Sequence, residues 1–134
     1  MQLLRGLLLL DAAVLFALGA ALILAPRIVE RVFHFANLPA GVSFLIGLWG
    51  CGLATMAWGY LTAARNPIRH LVWVQVGIAR GVLEFVLGAV WLAQGVVTWA
   101  QAGVGLIVAA LMALSYFLLY PRATRDLRVV PRID

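Results

Sequence analysis

An all-α polytopic membrane fold is what the sequence predicts: four transmembrane helices in an antiparallel bundle, with a short interfacial helix between the first two. Three observations point there. The chain is 65% hydrophobic over 134 residues, with a mean hydropathy of +1.05, whereas soluble domains are roughly half apolar. The apolar residues gather into four blocks, about 2–25, 40–63, 68–94 and 99–120. Each reaches the ~20 residues that a helix needs to cross a hydrocarbon core. Most arginines fall at the ends of these blocks, which leaves almost nothing for a soluble domain. The expected organisation is a membrane domain over 1–121 and a basic cytoplasmic tail over 122–134.

The first block, "MQLLRGLLLLDAAVLFALGAALILAPR", has some features of a signal peptide: an early arginine, Arg5, and a small residue, Ala25, near its end. Its apolar region is too long for that role, Asp11 interrupts it, and proline follows Ala25. A retained first helix is the expectation. Pro26 ends it, because proline lacks an N–H and forces the preceding residue out of helical geometry. In "RIVERVFHF", Ile28, Val29, Val32, Phe33 and Ala36 recur with a period near 3.6, and Arg27, Glu30, Arg31 and His34 fall opposite. That pattern predicts an amphipathic helix over about 27–36, lying in the membrane interface and ended by Asn37 and Pro39.

The second long helix contains Gly41, Gly47, Gly50, Gly52 and Gly59. In lipid, small residues let backbones approach closely, so this helix is expected to be a central packing element, with Gly47 and Gly52 at contacts. In "ARNPIRH", Asn66 suits an N-cap and Pro67 the first position of the third helix. The short link makes helices 2 and 3 antiparallel neighbours. Thr98 and Gln101 read as a capping box at the start of the fourth helix. Pro121 is expected to stop that helix after Tyr120, leaving the tail "RATRDLRVVPRID" loosely ordered.

All ten basic residues are arginine, and the formal charge is +5. Nucleic acid is rejected as a partner, because the arginines mark helix ends. Arg5, Arg65, Arg69, Arg122, Arg125, Arg128 and Arg132 share one side of the predicted topology, and Arg27 and Arg31 lie on the other. The positive-inside rule then places both termini in the cytoplasm. Most aromatics sit near helix ends as interfacial belts; Trp49 alone is well inside a helix. The single cysteine, Cys51, excludes an intrachain disulfide.

The segment "QVGIARGVLEFVLG" carries Arg80 and Glu84 inside the third apolar block. Counting inward from the cytoplasmic edge at 1.5 Å per residue puts Asp11 roughly 12 Å deep, Arg80 roughly 13 Å and Glu84 roughly 19 Å. A lone ion there costs about 2.5–3.5 kcal/mol on insertion scales. A buried cluster is therefore predicted, with Arg80 bridging Asp11 and Glu84. Thr55, Cys51, Ser115 and Tyr116 are candidates to donate further hydrogen bonds. Gly77, Gly81 and Gly88 are expected to let a neighbour approach the third helix. Two roles are open: an ion pair that fixes which helices meet, or a site for a proton, an ion or a polar headgroup. The tail arginines Arg122, Arg125, Arg128 and Arg132 are placed to contact anionic lipid.

His34 and His70 lie at opposite membrane edges and cannot share a metal or a haem. No zinc, thiol-pair or phosphate-loop motif appears, and no nucleophile–base set can be assembled. A non-catalytic protein without metal or cofactor is expected. The helix count, the "LAPRIVERVF" link and the polar residues in helices 1 and 3 resemble small bacterial four-helix inner-membrane proteins of the DoxX-like kind. The resemblance implies a four-helix bundle. The expected function is an accessory or scaffold subunit whose partners are lipid and other membrane subunits, or copies of itself. The alternative is a carrier or channel subunit for a proton or small polar solute, using the Asp11–Arg80–Glu84 cluster.

Overall fold

The computed structural model describes residues 2–35 and 38–129, without the side chains of 40 and 121–129. The described residues form five helices: α1 (Gln2–Leu24), α2 (Pro26–Val32), α3 (Ala40–Arg65), α4 (Leu71–Ala93) and α5 (Trp99–Val129). There are no strands among the described residues. The four long helices each contain a segment long and apolar enough to cross a membrane: Gln2–Leu24, Gly41–Arg65, Leu71–Ala93 and Trp99–Tyr120.

The long helices associate in two pairs, α1 with α3 and α4 with α5, and contacts between the pairs are sparse. On α1, Leu4, Leu8, Leu15 and Leu22 are buried, a spacing that keeps them on one face. They join Leu53, Ala57, Ala63 and Ala64 of α3 in the core. Two glycines face each other at this contact. A Cβ on Gly19 would stand 2.8 Å from the Gly50 carbonyl oxygen, and a Cβ on Gly50 would stand 2.8 Å from that of Gly19. Gly47 and Gly52, the expected contact residues, do not serve: a Cβ on either meets nothing within 4 Å. The helical period turns Gly50 toward α1 and carries these two off that face.

In the other pair the expected glycines are at the contact. A Cβ on Gly81 would lie 2.8 Å from the Ala109 carbonyl oxygen, one on Gly77 would lie 2.6 Å from the Tyr116 ring, and one on Gly88 would lie 3.0 Å from Leu106. Gln75 also donates to the Tyr120 hydroxyl at 2.8 Å. Partner numbers on α5 thus fall as those on α4 rise.

Several ends differ from expectation. The short helix spans Pro26–Val32 rather than 27–36, and closes on His34, whose φ is +59°. Phe35 N–H donates to the Glu30 carbonyl and His34 N–H to that of Arg31, the paired closure that usually places glycine where His34 stands. Ala36 and Asn37 lie outside the described residues. Asn66 does not cap α4. Its Oδ1 accepts from the Arg69 N–H at 3.3 Å, closing a single turn, and the helix begins only at Leu71. Gln101 Oε1 accepts from the Thr98 N–H at 2.8 Å, half of the predicted box. Pro121 does not stop α5, which runs on to Val129. Proline removes one N–H donor, and a helix already formed on both sides can absorb that loss.

Candidate functional site

Three charged side chains meet where the two helix pairs join. Asp11 of α1 is 1% exposed, among apolar neighbours that include Leu8, Ala12 and Leu15. Burying a carboxylate is tolerable only if its oxygens are paired. Both are: Arg80 Nη2 of α4 donates to Asp11 Oδ1 at 2.7 Å, and the Tyr116 hydroxyl of α5 donates to Oδ2 at 2.9 Å. Charge-assisted bonds of this length are the strong kind.

The remaining long helix, α3, supplies Tyr60. Its ring lies 5.4 Å from the Arg80 guanidinium carbon, within cation–π range. It stacks on Tyr116 at 6.2 Å between centroids and meets Trp73 edge-on at 5.4 Å. Trp73 can approach because residue 59 is glycine: the indole occupies the space a Cβ would need. The ion pair between α1 and α4 is therefore flanked by one residue each from α3 and α5.

Glu84 pairs with Arg80 as expected, but loosely. Its Oε1 is 3.7 Å from Arg80 Nε, beyond hydrogen-bond length, and its side chain is 47% exposed. The whole run Val82–Leu87 is exposed, although α5 meets α4 on either side of it, at Gly81 and Gly88. Arg80 therefore bridges the two carboxylates unequally, holding Asp11 tightly and Glu84 loosely. Three buried polar atoms in this group have no hydrogen-bond partner among the described residues: Arg80 Nε, Arg80 Nη1 and the Tyr60 hydroxyl oxygen.

Of the four residues expected to support the cluster, Tyr116 does so. Thr55 does not; it is exposed and donates to the Cys51 carbonyl of its own helix at 2.8 Å. Cys51 is exposed as well. Ser115 lines an outer groove between α1 and α5 with Gln2, Leu3 and Gly6. The helical period explains the split, since positions 51 and 55 face away from α1 while 53, 57 and 60 are buried. Tyr60 was the residue the sequence reading missed. The sequence carries no separate signal for it, since an aromatic near a helix end reads as interfacial belt.

Other polar contacts lie at the opposite end. The Ser43 hydroxyl donates to Glu30 at 3.0 Å, tying α2 to α3. Gln101 Nε2 donates to the His34 carbonyl at 3.2 Å, tying the start of α5 to the end of α2. No group of three or more metal-ligating side chains occurs among the described residues. The side chains of Arg122, Arg125 and Arg128, and all of Arg132, lie outside the described residues, and the lipid contact expected of them lies there too. Comparison with known proteins gives no matching family model, no similar curated protein and no similar solved structure.

Proposed function

We propose that the chain is a small non-catalytic integral membrane protein of a bacterial inner membrane, acting as an accessory or scaffold subunit of a larger assembly. In this reading the four long helices cross as an antiparallel bundle, both termini are cytoplasmic, and α2 lies in the outer interface. The observation that carries it is the Asp11–Arg80 pair, enclosed by Tyr116 and Tyr60. The charges at the helix junction are directed at each other, and they fix which helices meet. Copurification and crosslinking from native membranes test the reading. The expected result is capture of at least one other membrane protein in defined proportion. A chain that never copurifies with a different protein overturns it.

A second reading has its own support. Glu84 is half-exposed, and Arg80 Nε, Arg80 Nη1 and the Tyr60 hydroxyl keep unused hydrogen-bonding capacity beside it. Such a group suits a carrier or channel subunit for a proton or small polar solute. Flux into proteoliposomes is the measurement, with and without Glu84→Gln. Loss of flux in the variant supports this reading, and unchanged flux removes Glu84 from any such path.

A further inference from the structure

Of the three charges at the helix junction, one is left over. Asp11 and Arg80 balance each other at 2.7 Å, and the Tyr116 hydroxyl takes the second Asp11 oxygen. With Asp11 1% exposed, that pair is closed. Glu84 stands apart from it: Arg80 Nε is 3.7 Å from Glu84 Oε1, too far for a hydrogen bond, and the glutamate side chain is 47% exposed.

Nothing else at the junction balances Glu84. The other ionisable groups there are Asp11 of α1, itself an acid, and the hydroxyls of Tyr60 on α3 and Tyr116 on α5. Where α5 meets α4 on either side of Glu84, it presents Ala109, Ala113 and Leu106. Resting on the membrane placement proposed above, an uncompensated carboxylate at this position is costly, and one added proton removes the charge.

We propose that Glu84 is a proton-binding site. The proton adds to a carboxylate oxygen and leaves the junction neutral, because Asp11 and Arg80 already cancel. Release is provided for as well. Arg80 Nε is buried with no hydrogen-bond partner among the described residues, and a small turn of the Glu84 side chain brings its oxygen into range of that donor. Arg80 thus receives the ionised form when the proton leaves, without giving up Asp11. A metal ion is a poorer occupant. Hard cations take several oxygen ligands, no group of three or more metal-ligating side chains occurs among the described residues, and Arg80 repels a cation. The carrier reading is sharpened accordingly: the bound species is a proton, and Glu84 rather than Asp11 holds it.

The test uses the full chain in liposomes, treated with dicyclohexylcarbodiimide, which enters the lipid phase and reacts with protonated carboxyl groups. The acid's proton goes to a carbodiimide nitrogen and its oxygen adds to the central carbon. The adduct then rearranges to a stable N-acylurea that keeps every atom of both. The expected result is modification at Glu84 that falls as pH is raised and is absent in Glu84→Gln. A carboxylic-acid C=O band in the infrared spectrum is expected in the parent chain and lost in the same variant, with helical content by circular dichroism unchanged. Three results overturn the proposal: Glu84 unmodified at every pH, an acid band that survives Glu84→Gln, or modification only by a charged, water-soluble carbodiimide. The last also overturns the placement of α4 in hydrocarbon. Flux is judged separately: modification of Glu84 without proton flux upholds the site and overturns the carrier reading.

Discussion

Asp11 receives hydrogen bonds from two different helices, which makes each donor's contribution separable. Tyr116→Phe removes one donor and leaves a carboxylate oxygen buried without it. A loss of about 1.5–3 kcal/mol is expected, the range for bonds to charged groups, read from unfolding in mixed micelles. Tyr60→Phe is the control within the same aromatic stack. Its hydroxyl has no partner among the described residues, so its removal is expected to be neutral or mildly stabilising. A similar loss from both variants would show that ring packing, not the hydroxyl, holds the site. Asp11 and Arg80 were legible because a charge inside an apolar run is conspicuous and its level can be counted. Tyr60 was not, because an aromatic near a helix end has an ordinary interfacial explanation. Nor was the looseness of Glu84, since helical spacing gives reach but not the cover supplied by other helices.

At the scale of elements, the glycines divide into those that are crowded and those that are not, and sequence spacing alone does not separate them. Gly50→Ala places a methyl 2.8 Å from a backbone oxygen of α1. Backbone yields less easily than the end of a side chain, so about 1–3 kcal/mol of destabilisation is expected. Gly52→Ala meets open space, and better helix propensity makes it neutral or stabilising by up to about 1 kcal/mol in the isolated chain. Thermal unfolding of the two variants in one detergent checks the contrast. Gly95 closes α4 at φ +71°, with Val96 N–H donating to the Trp91 carbonyl and Gly95 N–H to that of Leu92. Gly95→Ala is expected to cost about 1 kcal/mol, because an L side chain is strained there. The long helices were legible from their apolar blocks within a few residues. The ends were less so: Asn66 holds a turn instead of a helix, and Pro121 is carried inside one. Both outcomes depend on neighbouring backbone rather than on residue type.

For the whole molecule, two helix pairs are joined at one level by an ion pair that takes its setting from all four long helices. The number of long helices could be read from composition and block length. Their division into α1·α3 and α4·α5 could not: the short link at 66–70 points to α3 and α4 as packed neighbours, whereas those two touch only sparsely and each packs mainly on the long helix at its other side in sequence. The proposed orientation predicts that cysteines placed at either terminus are labelled only from the cytoplasmic side, and one at Val96 only from outside. Labelling of the termini from outside would reverse it. The central claim is that Asp11 and Arg80 hold the pairs together as one unit. A double-mutant cycle with Asp11→Asn and Arg80→Gln, read as unfolding free energy in mixed micelles, tests it most directly. Each single variant leaves an unpaired buried charge and is expected to lose about 3–5 kcal/mol. The double variant is expected to lose less than the two together, by about 2 kcal/mol or more. Losses that add to within about 0.5 kcal/mol would contradict the account.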